Sequence, residues 1–268
     1  MQKNINNLSL VYFLFLAMLF LSGTLGGALS GIVYILAFII PLAMGLYLVK
    51  GEKAERLKYL TMDYEGARRT LPIIAPAVSV VIILSALTSF VIYLVFGRTN
   101  NVDVGDALVP AIIRHALLPA VLEEMLFRYL PMRLLLPHSR RWTVLISAIF
   151  FALIHHDLFV IPYAFAAGVI FMVVDIAVDS VIPSMIIHFI NNLLSVSLLV
   201  FKDNPNFAPF IYIMLGLLTL LSLIDIIGGK YYQKRVAYAF DEGERANIPT
   251  SMIAFAVITL AIALSGLL

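Results

Sequence analysis

Three stretches of this sequence carry ionisable or amide side chains inside otherwise apolar runs, at spacings that matter for chemistry. The run LLPAVLEEMLFRYLPMRLL holds Glu123, Glu124 and Arg128; ISAIFFALIHHDLF ends in His155, His156 and Asp157; IPSMIIHFINNLLSV holds His188, Asn191 and Asn192. A helical residue turns about 100°, so Arg128 lies about 40° from Glu124 and one turn along, while Glu123 lies about 140° from Arg128. Glu124 and Arg128 are thus placed to form an internal ion pair, and Glu123 is left to face a cavity. His188 and Asn192, at i and i+4, project from one helix face, where they serve either a site or an interhelical hydrogen bond. Asn191 points about 100° away and reads as helix–helix glue. Phe151 sits one turn before His155 on the same face, whereas His156 and Asp157 read as interfacial residues at the end of an apolar run.

A carboxylate, two histidines and a carboxamide are the equipment of water-activated amide hydrolysis. A glutamate acts as general base toward water, and His or Asn donors stabilise the oxyanion that develops on the carbonyl. Two His and one Glu could instead hold a zinc ion with an open position for water. The H-E-x-x-H spacing of the common zinc proteases is absent from the sequence, so no metal is required by it. There is no cysteine, which excludes a thiol nucleophile, a disulfide frame and any Cys-based metal site.

These groups are placed by elements that must lie in lipid. The 268 residues are 62% hydrophobic and 13% charged, with a mean hydropathy of +1.01, far more apolar than one soluble core of this size uses. A formal charge of +2 without a basic tail gives no reason to expect nucleic acid. Nine apolar runs approach the roughly 20 residues that a membrane helix needs: about 8–28, 29–49, 71–96, 108–136, 143–156, 159–178, 183–201, 207–228 and 249–268. The fifth is short, so the expectation is an all-α, polytopic transmembrane bundle of eight to nine spans forming a single integral membrane domain over 1–268. The first run reads as a retained helix rather than a signal peptide, because only Lys3 precedes a long apolar stretch.

With nine spans, Lys3 and the basic residues of 50–69, 133–141 and 229–247 fall on one side, and the opposite side receives little beyond Arg98 and Lys202. The positive-inside rule puts the basic side in the cytoplasm, giving a multi-pass protein of the cell membrane. The segment GEKAERLKYLTMDYEGARRT reads as an amphipathic stretch at the headgroups. No internal repeat is visible. An ionisable side chain inside a span costs roughly 2.5–3.5 kcal/mol even on lenient scales, so each of these groups needs a partner or a wet cavity.

The sets E-E-x-x-x-R (Glu123, Glu124, Arg128), F-x-x-x-H (Phe151, His155) and H-x-x-x-N (His188, Asn192) resemble, in order, the motifs of the CPBP/Abi family of intramembrane glutamic endopeptidases, the type II CaaX prenyl endopeptidase family. The resemblance covers roughly residues 108–201 and extends to DSVIPSMIIHFINN, which looks like the usual approach to the last motif. It departs in the sixth run, where Phe165 and Gly168 are followed by Met172 rather than a small residue.

The resemblance implies a helical bundle with a buried catalytic cavity open to the cytoplasmic side. It implies that Glu123 activates water with His155 assisting, that His188 and Asn192 form the oxyanion site, and that Glu124 and Arg128 support them. The implied partner is a membrane-associated or lipidated protein or peptide, such as a prenylated CaaX protein or a bacterial processing substrate. A non-catalytic scaffold or immunity protein of the same fold is the alternative. A proton-coupled transporter is a third reading, against which stands the lack of an inverted repeat. One difficulty is built into the spans as drawn: His155 lies near the outer end of its run and His188 near the inner end of its own, whereas a shared site needs one depth.

Overall fold

The computed structural model describes residues 1–49, 58–62, 64–97 and 108–207, most of 209–220, and residues 240, 248 and 250–265. The described residues form helices and turns only. α1 is Gln2–Thr24, α2 Gly27–Leu48 and α3 Tyr64–Phe96. α4 runs without a break from Leu108 to Leu134, but as three α-helical pieces joined by π-turns at Ile113–Leu117 and Met125–Tyr129. α5 is Arg140–Leu153, α6 Val160–Val178, α7 Ile182–Val200 and α8 Thr250–Ser265.

Among the described residues, five helices are long and apolar enough to cross a membrane: Gln2–Thr24, Leu29–Leu48, Ile73–Phe96, Val160–Val178 and Ile182–Val200. The eighth expected span, 207–228, lies largely outside the described residues, as does much of the 50–69 segment. Within that segment residues 58–60 form turns and bends, and α3 is helical from Tyr64 onward into the third span.

α5 has only 14 residues, which at 1.5 Å per residue is about 21 Å against a hydrocarbon core of about 30 Å. Ser139 starts it by accepting a hydrogen bond from the Trp142 backbone N–H at 3.3 Å. His155 stands in the turn that follows α5, two residues beyond its last residue.

The core is aromatic where four helices meet. Tyr12 of α1 lies against Phe127 of α4 (5.1 Å between centroids) and Phe150 of α5 (4.7 Å), and Phe150 meets Phe255 of α8 at 4.7 Å. A π-turn displaces backbone carbonyls from their helical partners, and in lipid these must be satisfied by side chains. Tyr12 Oη donates to the Leu126 carbonyl at 3.5 Å, and Ser147 Oγ of α5 donates to that of Phe127. α5 and α6 approach closely at Gly168. A Cβ there would stand 3.0 Å from Ala148 Cα and 3.2 Å from Ala148 Cβ. Close packing therefore rests on Gly168 itself, while Met172 is fully buried beside it.

Asn4 Nδ2 donates to the Leu134 carbonyl at 2.8 Å, so the N-terminus of α1 and the C-terminus of α4 share one end of the bundle. Lys3 and Arg133 consequently lie at that same end.

Candidate active site

The site is built around the second acid of the Glu-Glu pair. Glu124 and Arg128 are both fully buried and pair through Oε2 and Nε at 3.2 Å. Arg128, a guanidinium buried among apolar helices, must be compensated by its neighbours. Besides Glu124, its guanidinium carbon lies 4.3 Å from the centroid of Phe151 and 5.3 Å from that of Phe171, and Nη1 donates to Ser147 Oγ and to the Phe127 carbonyl, each at 3.3 Å. An ion, two ring faces and two oxygens together replace its water.

Glu124 does more than hold Arg128. Its Oε1 accepts from His188 Nδ1 at 2.8 Å, which fixes the imidazole with its proton on Nδ1 and turns Nε2 toward Glu123 Oε2, 3.9 Å away. The His188 ring stacks on Phe171 (centroids 5.6 Å apart, 28° between planes) and meets Phe151 edge-on at 5.8 Å. Glu123 keeps 13% of its side chain exposed and lines a cleft of about 540 Å³ together with His155, His156, Tyr34 and Phe38. The two neighbouring acids are thus separated by environment, one locked in an ion pair and the other open to the cleft.

His155 reaches the site from the turn that follows α5. Its Nδ1–H donates to the Phe151 carbonyl at 2.9 Å, so Nε2 carries the free lone pair. Phe151 stands between the histidines, 5.1 Å from the ring of His155 and 5.8 Å from that of His188. The expected separation of the two histidines is not found, because both rings sit against one phenylalanine.

Asn192 lies one turn beyond His188 on α7. Its Oδ1 accepts from Asn191 Nδ2 at 3.3 Å, which leaves the Asn192 amide hydrogens free for another acceptor. Asn191 is buried and also meets Tyr163 of α6, as expected for a residue that joins helices.

Two contributors were not singled out by spacing. His156, read as interfacial, lines the same cleft as Glu123. Asp175, fully buried in α6, accepts through Oδ1 from the Ser184 backbone N–H at 3.0 Å. Ser184 stands in the first turn of α7, four residues before His188 on the same face, so Asp175 caps from outside the helix that carries His188 and Asn192. The rule that marks Glu123, an ionisable group inside an apolar run, applies equally to Asp175.

Among the described residues, no group of three or more His, Asp or Glu side chains is arranged to hold a metal ion. No step below is routed through a metal.

This site therefore belongs to a helical membrane protein in which Glu123 and His155 share a cleft and the rings of His155 and His188 both meet Phe151. Residues 105–194 match the family model described as type II CAAX prenyl endopeptidase Rce1-like, in agreement with the resemblance carried by the three motifs. The matched segment contains Glu123, Glu124, Arg128, His155, His188 and Asn192. No curated protein and no solved structure matches the chain.

Proposed function

We propose that this protein is an intramembrane endopeptidase that hydrolyses a peptide bond near the C-terminus, or at a membrane-proximal site, of a lipidated or membrane-associated protein or peptide. The observation that carries the reading is the separation of the two glutamates: Glu124 is consumed by Arg128 and His188, and Glu123 faces a cleft beside two histidines.

The chemistry follows from the hydrogen-bond roles. A water in the cleft donates one hydrogen to Glu123 and the other to His155 Nε2, the free acceptor of that ring. As the water oxygen attacks the scissile carbonyl carbon, Glu123 takes its proton and the C–O π electrons move onto oxygen. Asn192 Nδ2–H and His188 stabilise that oxyanion. His188 can donate from Nε2 only when both ring nitrogens carry a proton, with Nδ1–H held on the Glu124 carboxylate. Collapse of the tetrahedral intermediate breaks the C–N bond, and Glu123 passes its proton to the leaving amine. The apolar flank of the cleft, from Phe15 to Phe20 with Phe38 and Ile262, suits a lipid chain or apolar side chains next to the scissile bond.

We further propose nine spans with the basic segments in the cytoplasm. The cleft runs along the half of α1 from Phe15 to Thr24, away from Lys3. An opening at the Thr24 end and a cytoplasmic opening are therefore exclusive for a protein with Lys3 inside, and sidedness of labelling decides between them.

The deciding experiment compares purified wild type with Glu123→Ala on a panel of prenylated and unprenylated peptides, with and without chelator. Cleavage by wild type alone is the expected result. Equal turnover by both chains would sink the assignment to Glu123, and no cleavage by either would return the protein to the scaffold reading.

A further inference from the structure

His156 has an unusual set of properties for a residue at the end of an apolar run. Its φ is +52°, in the left-handed region that L side chains rarely adopt and that glycine enters freely. The chain has a reason to turn here. His156 N–H donates to the Leu153 carbonyl at 3.3 Å as α5 ends, and Asp157 Oδ1 at once accepts from the backbone N–H groups of Phe159 (2.8 Å) and Val160 (3.4 Å) to begin α6. A glycine would make the same turn without strain, so a purely architectural role does not account for the imidazole.

The ring itself is half committed. Nδ1 is buried and has no hydrogen-bond partner among the described residues, whereas the residue lines the cleft that holds Glu123 and His155. A buried N–H without an acceptor is the costlier of the two ways to leave a nitrogen unpaired. The proton therefore belongs on Nε2, the ring's remaining polar outlet. His155 is the reverse, with Nδ1–H spent on Phe151 and Nε2 an acceptor. Consecutive residues thus present opposite hydrogen-bond characters to one cleft. Of the other hydroxyls of the lining, Ser22 Oγ donates to the Ser30 carbonyl and Thr24 Oγ1 to that of Leu21, which leaves Tyr34 Oη as the other donor that the cleft offers.

We infer that His156 Nε2–H donates to a backbone carbonyl of the peptide held in the cleft, and so sets that peptide's register beside Glu123. This rests on the endopeptidase reading and adds a substrate-binding residue to it. The inference separates from a structural role because the two predict opposite effects of glycine. His156→Gly relieves the left-handed backbone, so a merely structural residue gives a chain at least as active as wild type. A binding residue gives a raised KM with kcat and thermal resistance retained.

The test measures kcat, KM and thermal inactivation for wild type, His156→Gly and His156→Asn on a farnesylated CaaX tetrapeptide. It also measures affinity for the same fluorescent peptide in the Glu123→Gln background, where no cleavage intervenes. The expected result is a KM about tenfold higher for glycine, a near-wild-type KM for asparagine, which tolerates this backbone and restores an N–H donor, and a matching tenfold loss of affinity. An unchanged KM in His156→Gly, or a loss confined to kcat, overturns the inference. If wild type cleaves nothing while Glu123→Gln still binds the peptide in a His156-dependent way, the protease reading fails and this inference stands. Absence of binding overturns both.

Discussion

His188 Nδ1 donates to Glu124 Oε1 at 2.8 Å while the other oxygen of the same carboxylate lies 3.2 Å from Arg128 Nε. One buried acid thereby orients a histidine of the site and neutralises a cation that has no water. Glu124→Ala should cost activity and stability together. The orienting contact is worth about 10–100-fold in activity by analogy with groups that hold metal-ligating histidines, and an unpaired buried Arg128 costs roughly 3–5 kcal/mol. Turnover and detergent-solubilised thermal unfolding measure the two; loss of only one would contradict the shared role.

Asn192 and Asn191 are expected to separate in the same way that their side chains do. Asn192→Ala removes the proposed oxyanion donor and should lower kcat by about 10²–10³-fold with little change in stability. Asn191→Ala removes the contact that orients Asn192 and the link to Tyr163, and should cost activity by about tenfold or less. Equal effects on kcat would argue against Asn192 as the donor.

Asp175 is a positioning residue in this structure, holding the first turn of α7 through the Ser184 amide. Asp175→Asn keeps an acceptor oxygen and should retain most activity, whereas Asp175→Ala should lose about tenfold in kcat at an unchanged KM. Hydrogen exchange at residues 182–188 gives an independent readout, because that amide loses its partner only in the alanine variant. Equal protection in both variants would be inconsistent with the cap.

At Gly168 a side chain meets backbone rather than a flexible tip. Gly168→Leu forces Ala148 away at an approach of 3.0 Å and should destabilise by roughly 1–3 kcal/mol through overpacking. Because α5 carries the approach to His155, activity should fall as well. A thermal unfolding midpoint equal to wild type would show that the two helices separate freely.

The absence of native cysteine makes sidedness directly measurable. Lys3→Cys should react with an impermeant maleimide only from the cytoplasmic face, and Thr24→Cys only from the opposite one, since α1 is a single helix between them. Labelling of both from one side would refute α1 as a span. Adding peptide to vesicles of each orientation then reports the face from which the cleft is reached.

The sequence by itself determined the membrane setting, the helical class and the pairing of Glu124 with Arg128. Those depend on apolar content and on neighbours one helical turn apart, which the local periodicity of the backbone dictates. It also separated Glu123 from its neighbour by angle. What it left to tertiary structure was every distance between helices. The π-turn at Met125–Tyr129, the meeting of His155 and His188 at Phe151, the sharing of Glu124 between Arg128 and His188, and the capping of α7 by Asp175 are not legible in local periodicity. A helical wheel says which way a side chain points. Only the assembled bundle says what stands in front of it.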